Sequence, residues 1–395
     1  MKSRYAALIL IFIPLSLFAA DFSLVLNVDA GFGGKKNNDP EFDFRADIWP
    51  RFTTPLGSAG EFTVMAGFTF GTGEDGFYFV PELLRTEFLF RFGKSGIRFG
   101  RIDYGDPVSF VTQGLFDGVQ FFTSGGFGSF NAGIWYTGFL YKKNANIAMT
   151  IEEKQHIDIP LDYSGFSGFV NTYFAPKRFI AAVGWEHPSL GGIARLGATI
   201  TGQIDLSGGH HSQYLVIKAG IPISNFSMEF GGVMELSQSG VFNMAFAGQA
   251  GVFWLPPGKF NSSLSAVFNY ASGGTGGFIT QYNPVTAKHF GSVVSLNFSG
   301  LSVLTLNYTA RFARSLGVSF SASYFICSDL SGNAITSSPQ GHFLGPEIFG
   351  HIVWSPFSDL QFNIGAGAFF PVLGNAGRTE PISWKAEISV TFSLL

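Results

Sequence analysis

Few residues in this sequence have the types and spacing that catalysis or cofactor binding requires. The segment Gly71-Thr-Gly-Glu-Asp-Gly76 matches the letters G-x-G-x-x-G. In a dinucleotide-binding protein a helix follows the third glycine, and its N-terminus holds the pyrophosphate. Here Phe77-Tyr-Phe-Val-Pro81 follows, which does not begin a helix. The glycines therefore indicate a loop, and no nucleotide cofactor is expected.

Two other groups have side chains that metals bind. His210 and His211 are adjacent, but no cysteine or carboxylate stands close to them in the sequence, which disfavours a metal site. A second group offers oxygen ligands that calcium could use, but its spacing follows no defined loop motif. Its members are Asn37, Asn38, Asp39, Glu41 and Asp43. A solvated turn explains them better. No histidine pairs with a serine as in a hydrolase, so we expect no enzyme, no metal and no cofactor.

Charged residues occupy alternate positions within apolar segments, and these are the most informative polar residues of the chain. Charge facing lipid at mid-depth costs ~2–4 kcal/mol for Arg or Lys, so such residues should face an aqueous lumen or its rims. The candidate lumen-lining residues of this kind are Arg85, Glu87, Arg91, Glu229, Glu235, Arg311, Lys385 and Glu387. They could bias the passage of solutes, or they could be ion pairs that stiffen a wall. Because the two signs nearly balance, we expect weak charge selectivity.

The segments that carry these residues alternate apolar and polar side chains. In the last twelve residues, Trp384 to Leu395, every second position is apolar, so a strand here has one apolar and one polar face. The same period of two begins at Phe22 and recurs throughout the chain. The fold class is therefore all-β, and we predict a single transmembrane antiparallel β-barrel of about 18 strands, within a range of 16 to 20. The last strand should pair with the first, near Phe22–Phe32.

Composition separates this barrel from a secreted β-sandwich or propeller. Only 13% of the 395 residues are charged, whereas 16% are aromatic, and phenylalanine alone contributes 47. Such aromatic faces suit contact with outer-membrane lipid, and the Gly- and Ser-rich polar faces suit a water-filled lumen. The formal net charge is −3 and no basic run occurs, so no nucleic-acid partner is expected. The single cysteine, Cys327, cannot form an intramolecular disulfide.

Both ends of the sequence indicate export to the bacterial outer membrane. Residues 1–20 have a basic start, an apolar stretch and small residues at Ala19 and Ala20, as in a secretory signal peptide. Residues 21–395 would then form the barrel. The terminal strand ends in an aromatic residue, a spacer and a hydrophobic residue. That pattern resembles the C-terminal signal by which outer-membrane barrels reach the barrel assembly machinery, which is therefore an expected partner.

One stretch resembles a known family. Phe99-Gly-Arg101-Ile-Asp-Tyr-Gly105-Asp-Pro-Val and Gly114-Leu-Phe-Asp117-Gly-Val-Gln-Phe121 are similar to a pattern in alginate-export outer-membrane porins. The resemblance implies a monomeric barrel, commonly of 18 strands, that conducts a polysaccharide or other polar solutes. It also implies that Arg101 and Asp117 are pore-lining or constriction residues near a loop that folds into the pore. The Phe- and Gly-rich style resembles outer-membrane barrels of spirochaetes as well.

Two departures from the alginate-export pattern concern charge. The lumen charges are mixed rather than strongly basic, which disfavours a polyanion as the solute. Arg98 and Arg101 also stand at positions of opposite parity, so both can face inward only if Gly100 marks a bulge. For Arg101 and Asp117, a structural pair that fixes the loop stays open beside a contact with a solute.

The sequence thus predicts a porin-like channel for passive diffusion or export of small polar solutes or saccharides. Barrels of 16–18 strands leave an aqueous lumen unless loops fill it. We expect the constriction to form from Tyr104–Gly114, with Lys142–Ser164 as a second candidate. The alternative is a surface-exposed barrel with a closed lumen that acts as an adhesin or structural protein.

Overall fold

The computed structural model describes residues 20–36, 40–73, 76–239, 241–258, 260–274, 279–329 and 341–394. Within them, 18 antiparallel strands form one sheet that closes into a barrel, as the sequence predicts. The strands are β1 (Asp21–Lys35), β2 (Glu41–Leu56), β3 (Gly60–Gly73), β4 (Gly76–Phe92), β5 (Ser95–Gly105), β6 (Gln113–Gly125), β7 (Gly128–Tyr136), β8 (Arg178–Leu190), β9 (Ala194–Asp205), β10 (His211–Ile223), β11 (Phe226–Ser239), β12 (Val241–Trp254), β13 (Ser263–Ala271), β16 (Leu301–Ala313), β17 (Leu316–Cys327), β18 (Phe343–Phe357), β19 (Leu360–Phe369) and β20 (Ser383–Leu394). The short strands β14 (His289–Phe290) and β15 (Leu296–Asn297) pair separately.

Pairing of β1 with β20 closes the barrel. Leu24 stands opposite Leu394 and Lys35 opposite Ser383, in unbroken register. On the inner face, the Asn27 side-chain oxygen accepts hydrogen bonds from the Ser389 and Thr391 hydroxyls. This pairing confirms the prediction that the last strand meets the first, and it removes the free edges that an open sheet would expose.

The two ends of the barrel differ in their connections. At one end, which we call the turn end, hairpins are short, as at 57–59, 93–94 and 224–225. At the other, which we call the loop end, 41 residues join β7 to β8 and 29 residues join β13 to β16. The predicted signal peptide and the loop residues Asn37, Asn38 and Asp39 lie outside the described residues.

The β7–β8 loop contains three short helices, α1 (Lys142–Ala145), α2 (Ile151–Asp158) and α3 (Phe166–Tyr173). The first turn of α2 is stabilised by a capping box, in which the Thr150 hydroxyl and the Glu153 carboxylate each accept a backbone N–H of the other residue. Pro371–Leu373 forms a 3₁₀ turn after β19. No helix in the described part of the chain is long and apolar enough to cross a membrane.

The hydrogen-bonded wall is interrupted between β4 and β5. Their ladder runs from Phe92–Ser95 to Thr86–Arg101 and stops there, although β4 continues toward the loop end. Side chains of the β7–β8 loop form hydrogen bonds with the backbone along this unpaired edge of β4. The Tyr163 hydroxyl bonds to both the N–H and the C=O of Phe79, and the Tyr173 hydroxyl donates to the carbonyl of Pro81. The β7–β8 loop therefore completes the wall where the sheet does not.

Arg101 completes the same edge, and its position corrects the prediction that Arg101 and Asp117 line the pore. Arg101 donates to the Leu83 carbonyl at 2.5 Å and to the Phe139 carbonyl at 2.9 Å. Two further bonds of 2.8 Å reach the two carboxylate oxygens of Asp117. The strand alternation places both residues on the outer face, because the neighbouring Ile102 and Phe116 point into the core. This partly buried ion pair joins β5, β6, β4 and the β7–β8 loop.

Replacement of Arg101 should destabilise the barrel strongly. Arg101→Ala leaves the Asp117 carboxylate and two carbonyls without a partner, which we expect to lower the free energy of unfolding by about 3–5 kcal/mol. Urea titration of the protein folded into lipid vesicles measures the change. The double variant Arg101→Leu/Asp117→Leu removes both charges and should recover part of the loss. Arg314→Ala, at an exposed turn, is the control; if Arg101→Ala unfolds at the same urea concentration as that control, the structural role assigned to Arg101 is wrong.

Candidate functional site

Three loops from the loop end fold into the barrel and form what we call the loop cluster. They are the β5–β6 loop (residues 106–112), the β7–β8 loop (137–177) and the described residues 272–274 and 279–300 of the β13–β16 loop. Phe110, Val111, Ile147, Val285 and Phe298 are all at most 1% exposed. These side chains pack against inward residues of strands β5 to β13, which include Trp135, Ile180, Val216 and Val233. One side of the lumen is therefore filled by an apolar core.

Hydrogen bonds join the three loops to one another. The Tyr282 hydroxyl donates to the carbonyl of Phe110 at 2.8 Å, and the N–H of Thr286 donates to the carbonyl of Val111 at 3.1 Å. Between the other pair of loops, the Asn283 amide donates to the Met149 carbonyl at 2.9 Å. The three loops thus form one connected unit, although only two of them were predicted to constrict the pore.

Two carboxylates satisfy backbone groups that burial would otherwise leave unpaired. Asp106 accepts the N–H groups of Val108, Phe110, Val111 and Thr112 at 2.8–3.4 Å. In the same way Glu347 on β18 accepts the N–H groups of residues 292, 293 and 294 at 2.6–3.0 Å. A buried loop is stable only when such groups find partners. These carboxylates explain how irregular backbone can lie inside the barrel.

A fully buried arginine fixes the β7–β8 loop to the wall. The Arg178 guanidinium, at the start of β8, lies 2.6 Å from Glu153 of α2 and 3.4 Å from Asp205 of β9. It also donates to the side chain of Gln203 at 2.6 Å. A buried cation requires this compensation by charge and hydrogen bonds. Glu153 both caps α2 and binds Arg178, so the helix is held in one orientation.

The opposite side of the lumen keeps a polar wall along β18 to β20 and β1 to β4. Lys385 and Glu387 form an ion pair of 2.7 Å, and His351 lies 3.1 Å from the same carboxylate. They line a cavity of about 150 Å³ with Asp29 and Asp43. The strand alternation predicts that Lys385 and Glu387 face inward, and the structure places them there.

A second cavity of the polar wall, of about 490 Å³, lies toward the turn end. It brings together the predicted lumen-lining residues Arg85, Glu87 and Arg91 with Arg51, Glu61, Arg98 and Gln120. Arg85 lies 2.6 Å from Glu87, and Arg98 donates to the Gln120 amide oxygen at 2.5 Å. Among the residues that the structure describes, Arg51 and Arg91 have no carboxylate within ion-pair distance. This cavity therefore carries an excess of positive charge.

The other predicted lumen residues fall into different surroundings. Glu229 faces Lys218 at 3.8 Å, and Arg311 lines a cavity of about 410 Å³ at the turn end. Glu235 points inward but is only 1% exposed, because the β13–β16 loop covers it and the N–H of Asn283 donates to its carboxylate. Its assignment as a pore-lining residue is corrected: it anchors the loop cluster.

The remaining motifs take structural roles. The Gly71–Gly76 segment joins two strands, so no helix follows it. The carbonyl of His210 accepts from Arg178 and Gln203, and the His211 ring nitrogen accepts the N–H of Asp205. Burial, together with the nearby Arg178, lowers the pKa of His210, so this ring is neutral at pH 7. Over the described ranges, no three His, Cys, Asp or Glu side chains converge as metal ligands.

A third cavity of the polar wall lies at the loop end and was not predicted. It measures about 660 Å³, between strands β2 to β4 and the β7–β8 loop, and is lined by Tyr78, Tyr141, Tyr163, Arg45, Lys143 and Asp158 among others. The loops at this end hold many apolar side chains, as in Asp106-Pro-Val-Ser-Phe-Val111. That apolar content was a sequence signal for inward folding.

Comparison with known proteins bears on the fold. No protein-family model and no curated protein sequence matches this chain. Solved structures do match over 95% of the chain. They include Pseudomonas aeruginosa OccK2 (OpdF), with a TM-score of 0.64 at 12% identity over 98% of that chain. P. aeruginosa OpdQ gives a TM-score of 0.60 at 13% identity over 99% of its chain. The outer membrane protein OprD of P. aeruginosa gives 0.58 at 14% identity over 94% of its chain. The chain has the fold of these barrels.

Proposed function

We propose that this protein is an outer-membrane channel through which small polar solutes or saccharides pass along the polar wall. The observation that carries the proposal is the asymmetry of the lumen. Apolar loops fill the side next to β5–β13 and the loop-end parts of β16–β19, while the rest of β18–β20 and β1–β4 keep charged side chains around open cavities. An apolar core would stabilise a closed barrel at least as well as a polar, half-exposed wall does. The polar wall therefore points to a role other than stability.

The membrane position follows from the same geometry. The outer face is covered by exposed apolar side chains such as Phe22, Val28, Phe99 and Phe320, which suits contact with lipid. In single-chain outer-membrane barrels short turns are periplasmic and long loops external, so the turn end should face the periplasm. The fold is shared with the outer membrane protein OprD. Export by a signal peptide and insertion by the barrel assembly machinery belong to this proposal.

The loop cluster should set the width of the path. Purified protein in planar bilayers should show discrete conductance steps. Replacing residues 284–297, which contain Val285, with a short Gly-Ser linker should raise the step size by roughly twofold or more, because this segment fills lumen that an 18-stranded barrel would leave aqueous. The matched control replaces residues 206–209, an exposed loop at the same end, with the same linker.

Two outcomes would contradict this reading. A folded wild-type barrel that never shows open steps would support the closed-lumen alternative, an adhesin or structural protein. Equal conductance for the wild type and the 284–297 replacement would show that the loop cluster is not the constriction. The control replacement separates a specific widening from a general effect of altered loops.

Charge selectivity should respond to the arginines near the turn end. The double variant Arg51→Glu/Arg91→Glu reverses two charges that have no described carboxylate partner, so the reversal potential in a KCl gradient should shift toward cation selectivity. The effect should shrink at high salt, because screening shortens the Debye length from about 10 Å at 0.1 M to about 3 Å at 1 M. Lys94→Glu, at an exposed turn, is the control. Reversal potentials that match between the double variant and this control would place Arg51 and Arg91 outside the path.

A further inference from the structure

We propose that the loop-end cavity is a binding site for a neutral saccharide, which deepens the proposed channel function and rests on it. The cavity of about 660 Å³ opens between strands β2 to β4 and the β7–β8 loop. Its size falls in the range of about 300–1,000 Å³ that small-molecule sites occupy. Below, "the vestibule" means this cavity.

Aromatic rings form the apolar part of the vestibule. Tyr78, Tyr141 and Tyr163 all line it, and Phe77 and Leu161 extend the apolar surface. A tyrosine offers a flat apolar face together with a hydroxyl that can donate and accept. Sugar rings present the matching surfaces, since their C–H faces are apolar and their edges carry hydroxyls. The Tyr163 hydroxyl is already bonded to Phe79, so Tyr163 offers its ring face, while Tyr78 and Tyr141 offer rings and hydroxyls. This combination fits a saccharide better than a compact ion.

The charges of the vestibule nearly cancel, which favours a neutral ligand. Arg45 donates to both carboxylate oxygens of Asp47 at 2.8 and 3.1 Å, so its charge is already paired. Lys143 and Asp158 supply one charge of each sign to the lining. Among the described residues, this lining does not have the excess of guanidinium groups found in the cavity toward the turn end. An anionic solute would lose hydration here without a matching cation in return.

The rings are held in place before any ligand arrives. The Tyr163 hydroxyl is fixed by its bonds to Phe79, and the Tyr141 ring packs against Tyr173 with centroids 5.0 Å apart. Burial raises the pKa of Tyr141 to about 12, so its hydroxyl stays protonated at neutral pH and can donate. The contacts that complete the wall beside β4 thus also preorganise the vestibule, which lowers the entropy cost of binding.

Calorimetric titration of the full-length barrel in detergent tests the site, with maltotriose as the neutral probe and glucuronate as the anionic probe. Maltotriose should bind more tightly than glucuronate. Tyr78→Ala should lower the affinity for maltotriose by about tenfold, which corresponds to about 1.4 kcal/mol of binding free energy. Tyr308→Ala removes a tyrosine that is exposed on the outer face and should leave the affinity unchanged.

A second variant tests the neutrality of the ligand. Asp158→Asn leaves the positive charge of Lys143 unbalanced in the lining, so the affinity for glucuronate should rise by about twofold or more relative to the affinity for maltotriose. Tighter binding of glucuronate than of maltotriose, or no effect of Tyr78→Ala on maltotriose, would overturn the saccharide site.

The two proposals fail in different ways. Saccharide binding by a barrel that never conducts would refute the channel and leave the vestibule in place as a surface site. Conductance steps without saccharide binding would refute the vestibule and leave the channel. When both hold, maltotriose added on the loop-end side should interrupt the current in the wild type, and Tyr78→Ala should shorten those interruptions.

Discussion

The requirement that every buried backbone N–H and C=O find a partner governs this structure. A barrel in lipid meets it by closing its sheet, since no water is present to bond a free edge. Pairing of β1 with β20 closes the sheet, so most backbone N–H and C=O groups of the wall have a partner on a neighbouring strand. The β4–β5 ladder stops at Thr86–Arg101. Beyond that point, the side chains of Tyr163, Tyr173 and Arg101 bond to the backbone groups of β4 that have no partner strand. The β7–β8 loop is therefore part of the wall as well as a loop.

The same requirement decides which loops can enter the lumen. A loop that leaves water loses its solvent hydrogen bonds, so inward folding needs acceptors and donors already positioned inside the barrel. Asp106 provides the acceptors for the β5–β6 loop, and Glu347 and Glu235 provide them for the β13–β16 loop. Since each of these carboxylates is engaged by backbone N–H groups, it is unavailable to a passing solute. Acidic residues inside the barrel thus divide into those that hold loops and those, such as Glu387, that remain on the polar wall.

The sequence could predict the features that depend on local strand geometry, but not those that depend on where a distant loop folds. Alternation with a period of two depends on strand geometry alone, so it predicts the closed sheet and the inward direction of Lys385 and Glu387. It also separates Arg98 from Arg101, which lie on opposite faces, whereas the family resemblance suggested that Arg101 and Asp117 line the pore. The burial of Glu235 could not be predicted from the sequence, because it depends on a contact with Asn283, which lies 48 residues later in the chain. The contact between Tyr163 and Phe79 could not be predicted either, because 84 residues separate them in the sequence.

The two larger cavities of the polar wall differ in the physical basis on which they can discriminate solutes. Toward the turn end, Arg51 and Arg91 lack carboxylate partners among the described residues, so this cavity acts through a long-range field that salt screens. At the loop end, Arg45 is already paired with Asp47, and tyrosines supply short-range contacts that depend on shape. A solute entering from the loop end would meet shape discrimination first and charge discrimination second. That order suits a neutral molecule, because it binds where charges cancel and then passes arginines that neither attract nor repel it strongly.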